Sequence, residues 1–315
     1  KPRMRTAIND TRGHISELLA KAVNQGALDQ ALTPEDKAKL LPFLKRYGDL
    51  EEDYEFKGTM RSGFARGPGA GVSSFASANN PTPLSTLLAN EQLPMMGFED
   101  NLYMQATMFQ PVGGMDQIPV GIERNLKNRA IRGAEVKRIR QNSKGVEIIY
   151  LDTASGSART VKADYCVCTI PFPVLAKIDT DFAKPVATAI AGDVYDNSVK
   201  IAFEAPRFWE QEQIYGGISF VGGETNLIWY PSAGLHSERG MILGCYSSGK
   251  LGAKFAARPM AEQIAMARGM IEQVHPGHGN DCVNALAVNW IKVPYSLGPW
   301  PNWYPGISGR QEGHT

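Results

Sequence analysis

The sequence predicts a mixed α/β (α+β) chain, built as two lobes or one large α/β unit, and three observations carry that expectation. Its 315 residues exceed what a single domain of ~150 residues usually needs. Two stretches, 134–170 and 198–246, contain runs in which apolar residues alternate with polar ones or stand together at strand length. Around them, apolar residues recur at helical spacing. A hydrophobic content of 43% with 21% charged residues suits an ordinary globular protein with a sizeable core.

The first helix is expected from Ile8, Ile15, Leu18, Leu19, Ala22 and Val23, with Gly26 as its stop. A second begins at Thr33-Pro34-Glu35-Asp36. Thr33 suits the cap, Pro34 the first turn, and the two acids the positive end of the helix dipole. Leu40, Leu41, Leu44 and Tyr47 line one face, and Pro42 predicts a kink or an early break. Residues 66–83 read as a Gly/Ser/Pro loop. Its Gly67-Pro68-Gly69-Ala70-Gly71 follows no strand, so it is not read as a phosphate loop.

Gln110-Pro111-Val112-Gly113-Gly114-Met115 leads into a helix over 115–126. The glycine pair allows a backbone or a flat ligand to come close. Strands follow at 134–140 and 145–152. Val161 to Ile170, with its run Cys166-Val167-Cys168-Thr169-Ile170, reads as a strand buried on both faces. Ser198 to Glu204 alternates, placing Val199, Ile201 and Phe203 on one face and Ser198, Lys200 and Ala202 on the other. Further strands at 214–221, 225–230, 241–246 and 283–290 imply a mixed or antiparallel sheet, with a helix over 260–274 and an aromatic, proline-rich loop over 294–305.

Composition narrows the function. A net charge of +1 without a long basic run argues against a dedicated nucleic-acid binder. No apolar run approaches the ~18 residues of a membrane span. Cys166, Cys168, Cys245 and Cys282 form no C-x-x-C and read as core thiols. His275 and His278 flank the turn Pro276-Gly277 and read as turn residues, so no metal is expected. Lys1-Pro2-Arg3 leads straight into a helix without an initiator Met, as in a piece of a longer chain, and localisation stays open.

Five stretches in order resemble the flavin-dependent amine oxidases, a family that includes monoamine oxidases and L-amino-acid oxidases. They are Gln110 to Pro119, Gly133 to Ile139, Ala163 to Pro171, Asn197 to Phe203 with Phe208-Trp209, and Asn289-Trp290 with Pro294 to Trp300. The bacterial L-amino-acid oxidase branch is the most similar. The resemblance implies a partial FAD-binding domain of Rossmann type, interleaved with a substrate domain of mixed sheet and helices. Residues 1–105 and 179–288 would build the substrate domain; 106–178 and 289–315 would belong to the FAD domain.

The same resemblance assigns roles. Lys200 matches the lysine beside flavin N5, and Trp300 a wall of the aromatic cage; these are the catalytic candidates. Gly113, Gly114, Met115, Val136, Thr169 and Trp290 would contact the cofactor. Phe109, Trp229 and Tyr246, with His236, would line the substrate cavity. Pro299 stands where monoamine oxidases bond their flavin to cysteine, so the FAD would be non-covalent. The activity implied is oxidative deamination of an L-amino acid or amine, with O2 as electron acceptor and hydrogen peroxide as product. The alternatives are a flavin amino-acid monooxygenase and a non-catalytic fragment. The family's G-x-G-x-x-G turn has no counterpart here, and Arg310 stands at the second cage position. A companion chain supplying the absent FAD segments, or a homodimer, is therefore an expected partner.

Overall fold

Reciprocal hydrogen bonds at Thr33 and Asp36 start the second helix of a helical hairpin. Thr33 Oγ1 accepts from the Asp36 amide at 3.1 Å, and Asp36 Oδ2 accepts from the Thr33 amide at 3.1 Å. The computed structural model describes residues 3–66, 77–100 and 109–301, and falls into two compact units, Lys1–Met108 and Phe109–Thr315. The glycine loop at 67–71, the approach to Phe109 and Arg310 lie outside the described residues.

In the first unit, helix α1 (Met4–Asn24) packs on helix α2 (Pro34–Gly48). Helix α2 continues through Pro42, so of the expected kink or early break the break does not occur. Leu40, Leu41 and Leu44 pack with Ala20, Leu50 and Phe56, and that burial outweighs the one lost backbone bond. The packed face of α1 is not the one that carries most of its large apolar residues. It buries Ala7, Asp10, Gly13, Ser16, Ala20 and Val23, while Ile15, Leu18 and Leu19 are exposed. Close approach is the reason: a Cβ on Gly13 would sit 2.3 Å from the Phe56 ring, and one on Gly48 would sit 2.4 Å from Ser16 Cβ. Buried Asp10 is satisfied by Ser62 Oγ at 2.5 Å and the Thr82 amide at 2.8 Å. Strands β1 (Phe64–Arg66) and β2 (Ser77–Ala78) pair antiparallel, and α3 (Leu84–Leu88) follows.

The second unit opens with α4 (Gln117–Arg124), which has no buried residue. A meander follows: β3 (Ala134–Asn142), β4 (Gly145–Asp152) and β5 (Ser157–Ala163). After α5 (Phe172–Leu175), β6 (Asp179–Thr180) adds parallel to β3, in the order β5-β4-β3-β6. Arg140 fixes that junction by donating to both oxygens of Asp179 at 2.6 Å.

Residues 164–170 are not the buried strand expected of them. They lie in no strand, and Tyr165 and Val167 are each 90% exposed. A strand buried on both faces needs flanking strands and covering layers, and no described residue pairs with this run. Cys166 and Cys168 are accordingly exposed; only Cys245 and Cys282 are core thiols.

Helix α6 (Lys184–Gly192) leads to a five-stranded antiparallel sheet. Its strands are β7 (Ser198–Pro206), β8 (Ile218–Gly222), β9 (Asn226–Trp229), β10 (Arg239–Ser248) and β11 (Val283–Asn289), in the order β11-β7-β10-β9-β8. The short helix α7 (Phe208–Gln211) leaves β7; α8 (Gly249–Ala256) and α9 (Met260–Val274) follow β10. Val199, Ile201, Phe203 and Ala205 are fully buried in one core with Phe255 of α8 and Ala267 and Ile271 of α9. Period-two alternation therefore leaves Ser198, Lys200, Ala202 and Glu204 on the opposite face. No described helix is long and apolar enough to cross a membrane.

Candidate active site

That opposite face carries the chemistry-bearing residues. Lys200 pairs across the ladder with Tyr246 of β10 and Val288 of β11; in the next row Ala202 pairs with Leu243, which pairs with Trp229 of β9. Lys200 Nζ stands 4.4 Å from the centre of the Tyr246 ring, and the rings of Trp229 and Tyr246 are 6.4 Å apart. Lys200 is half-buried, and burial draws its pKa below the usual lysine value. Burial, then the nearby Asp196 carboxylate, pushes the Tyr246 phenol up. Ser198 Oγ is buried on the same face without a partner among the described residues.

The loop after β11 approaches the start of β7. Trp290 opens a short 3-10 turn, Trp290–Lys292. Further on, the Asp196 amide donates to the Trp300 carbonyl at 3.1 Å, and Tyr195 bridges to Pro301. Gly298 permits this approach: its φ is +151°, and a Cβ there would lie 2.4 Å from Tyr195 Cβ. The Trp300 backbone is thus held four residues before Lys200, with its side chain 38% exposed.

The same loop walls a cavity of about 750 Å³ beside β3. Val136, Ile170, Pro171, Val174, Tyr295 and Leu297 supply much of its lining, and Glu135, Lys137 and Lys177 supply charged groups. Glu135 and Lys137 pair with each other at 2.7 Å. Val136 therefore meets the cavity, whereas Thr169, just before its Ile170, is exposed.

Phe109 is 93% exposed and Met115 66% exposed. Gly113 and Gly114 both have positive φ, +92° and +109°, and the closest atoms to a Cβ there belong to Gln117 and Asp116 of the same turn. The structure thus brings Lys200, Tyr246 and Trp229 together and ties the Trp300 backbone to Asp196, just before β7. It places Val136 at the cavity and leaves the Phe109–Met115 segment exposed. His236, at φ +63°, is held by Glu210 at the turn after β9. Tyr195, Asp196 and the bulge at Gly244 were not singled out from sequence; a glycine inside the 241–246 strand was the one available signal. Among the described residues, no group of three metal-ligating side chains occurs.

The donor set fits the flat parts of a flavin dinucleotide: an apolar cavity edged by strand backbone, and a cation on an aromatic face. It offers no glycine-rich turn at a helix start for the pyrophosphate among the described residues.

Residues 4–314 match the family model described as flavin containing amine oxidoreductase. The flavin-dependent L-tryptophan oxidase of Lentzea aerocolonigenes is 28% identical over 167 residues, covering 52% of this chain and 35% of that protein. An L-amino-acid oxidase of Echis ocellatus is 27% identical over 203 residues, covering 62% and 40%. A redesigned putrescine oxidase superposes with a TM-score of 0.54 at 15% identity, over 65% of this chain and 45% of that one, which shows a shared fold, that of the FAD-dependent amine oxidases with their Rossmann-type domain. The chain spans less than half the length of these relatives. It belongs to the flavin containing amine oxidoreductase family.

Proposed function

We propose that the chain is part of an oxidase that deaminates an L-amino acid or amine, with FAD held non-covalently, O2 as electron acceptor and hydrogen peroxide as product. The observation that carries this reading is the half-buried Lys200 on an aromatic sheet face, beside a loop that also walls an apolar cavity. Relatives named L-amino-acid and L-tryptophan oxidases favour the amino acid over the plain amine. Residues 109–178 and 289–301 make the cofactor side, and 179–288 the substrate side.

When bound, the flavin supplies the acceptor for the hydride equivalent leaving the substrate's α-carbon. The chain's own residues do the rest. Val136 and its neighbours hold a flat heterocycle in the cavity. Trp229, Leu243 and Tyr246 keep water off the reacting face, and such an apolar, π-rich surface favours the uncharged amine. Lys200 places one positive charge there, where oxygen is reduced. Trp300 closes the side nearest Asp196. A companion segment supplies the phosphate cradle.

FAD titrated into the purified chain tests the reading. Weak, saturable quenching of flavin fluorescence is expected, abolished by Val174→Trp in the cavity wall. No saturable binding, or binding indifferent to Val174→Trp, refutes the cavity assignment. With FAD and the companion segment both present, peroxide release over L-amino acids and diamines assigns the substrate. Lys200→Met should slow flavin reoxidation more than reduction; kinetics unchanged from wild type would remove Lys200 from the site.

A further inference from the structure

We propose that Tyr246 is the positioning residue for Lys200: its ring holds the ammonium by a cation–π contact, and a one-residue bulge at Gly244 turns that ring onto the face of Lys200. The ladder carries the argument. Leu243 lies opposite Ala202, yet Cys245, not Gly244, lies opposite Ile201, so β10 contains one extra residue at this point. In an unbroken register Cys245 would oppose Lys200, and Tyr246 would point into the core. With the bulge, Cys245 is fully buried among Phe203, Ile242 and Ile271, and Tyr246 opposes Lys200 directly.

The bulged residue has to be glycine. A Cβ on Gly244 would lie 2.8 Å from Ile271 Cδ1 and 2.9 Å from Phe203 Cε2, both in the fully packed core. The bulge is thus built into the core rather than being a loose spot on an edge.

The contact also has a consequence for charge. Nζ at 4.4 Å from the ring centre is well inside cation–π range. The cross-strand neighbour on β11 is Val288, which offers no charge, and burial draws the pKa of the Lys200 amine down. Asp196 acts on Tyr246, and Trp229 completes the aromatic side. Burial favours the neutral amine; the ring face favours the ammonium. Tyr246 therefore keeps Lys200 charged and fixed. Its value to catalysis rests on the reading of Lys200 given above, whereas the contact itself is testable without flavin.

The test titrates Lys200 by NMR in the 315-residue chain, with its resonance assigned by its loss in Lys200→Met. In the wild type the ε-methylene signal should be displaced upfield by the Tyr246 ring current. Tyr246→Phe keeps the ring and should leave the titration midpoint unchanged. Tyr246→Leu should lower it by about half a unit to one unit, and Gly244→Ala should move it the same way. A normal ε-methylene position in the wild type overturns the proposal whatever the variants' stability. So does a Tyr246→Leu midpoint equal to wild type, or a Tyr246→Phe shift as large as that of Tyr246→Leu.

Discussion

Replacing Tyr230 by Phe removes one oxygen from a chain of polar contacts that runs through the interior of the second unit. Tyr230 Oη lies 2.9 Å from Ser219 Oγ and 2.7 Å from His275 Nε2, and Glu212 Oε1 accepts from His275 Nδ1 at 2.8 Å. Tyr230 is 2% exposed and His275 1% exposed. The ring volume is kept, so no cavity term enters beyond the missing oxygen. Two hydrogen bonds are lost, each worth about 1 kcal/mol net, and His275 Nε2 is stranded away from water at about 1–3 kcal/mol. The expected destabilisation is about 3–5 kcal/mol, a fall of about 6–20 °C in melting temperature for a unit of this size. Equilibrium urea unfolding followed by tryptophan fluorescence reports it, since Trp209 stands 6.5 Å from the Tyr230 ring. Adding His275→Phe removes the stranded nitrogen, so the double variant should be more stable than the sum of the single effects. A Tyr230→Phe loss below about 0.5 kcal/mol would show that the chain of polar contacts does not stabilise the fold.

Two further outcomes follow from burial and pairing. In the native chain, Ellman's reagent should modify two thiols quickly, Cys166 and Cys168, which are exposed. Burial pushes the thiols of Cys245 and Cys282 up to about 12 and about 11, so they should react only in urea; four fast thiols would contradict the sheet core. Glu224 is paired with Arg258 at 2.6 Å and Lys254 at 2.9 Å. Those two partners hold its pKa down to about 2, from an ordinary value of 4.5. Its contribution is therefore present above pH 4.5 and lost as pH falls towards about 2. The stability gap between wild type and Glu224→Gln should shrink over that window, and a gap independent of pH would refute the pairing.

Element type was legible wherever one face of a segment meets a core. Residues 198–204 alternate and 260–274 repeat so regularly that β7 and α9 form where the pattern puts them. Legibility failed where the partner decides the outcome. Large apolar residues on α1 suggested its buried face, but contact with α2 and Phe56 demands small ones at Gly13, Ser16 and Ala20. The run 164–170 has the composition of an interior strand, and composition alone cannot supply the neighbours that bury one. Pro42 was read by its local penalty, which the packing of Leu40, Leu41 and Leu44 overrides.

The site shows the same division within a single pair of strands. Lys200 follows from parity, because β7 alternates without interruption from Ser198 to Pro206. Tyr246 does not. Counting alternate residues from Met241, which opposes Glu204, would send Cys245 to the Lys200 face and Tyr246 to the core. Only the resemblance to amine oxidases put Tyr246 beside the substrate, against its own strand's periodicity. The extra residue reconciles the two, and its signature is a lone glycine inside an otherwise apolar strand, a position where a side chain would collide with Ile271 and Phe203. A break in register is thus the feature that places an aromatic ring over the lysine, and the strand's periodicity stops being a guide at the point where the chemistry begins.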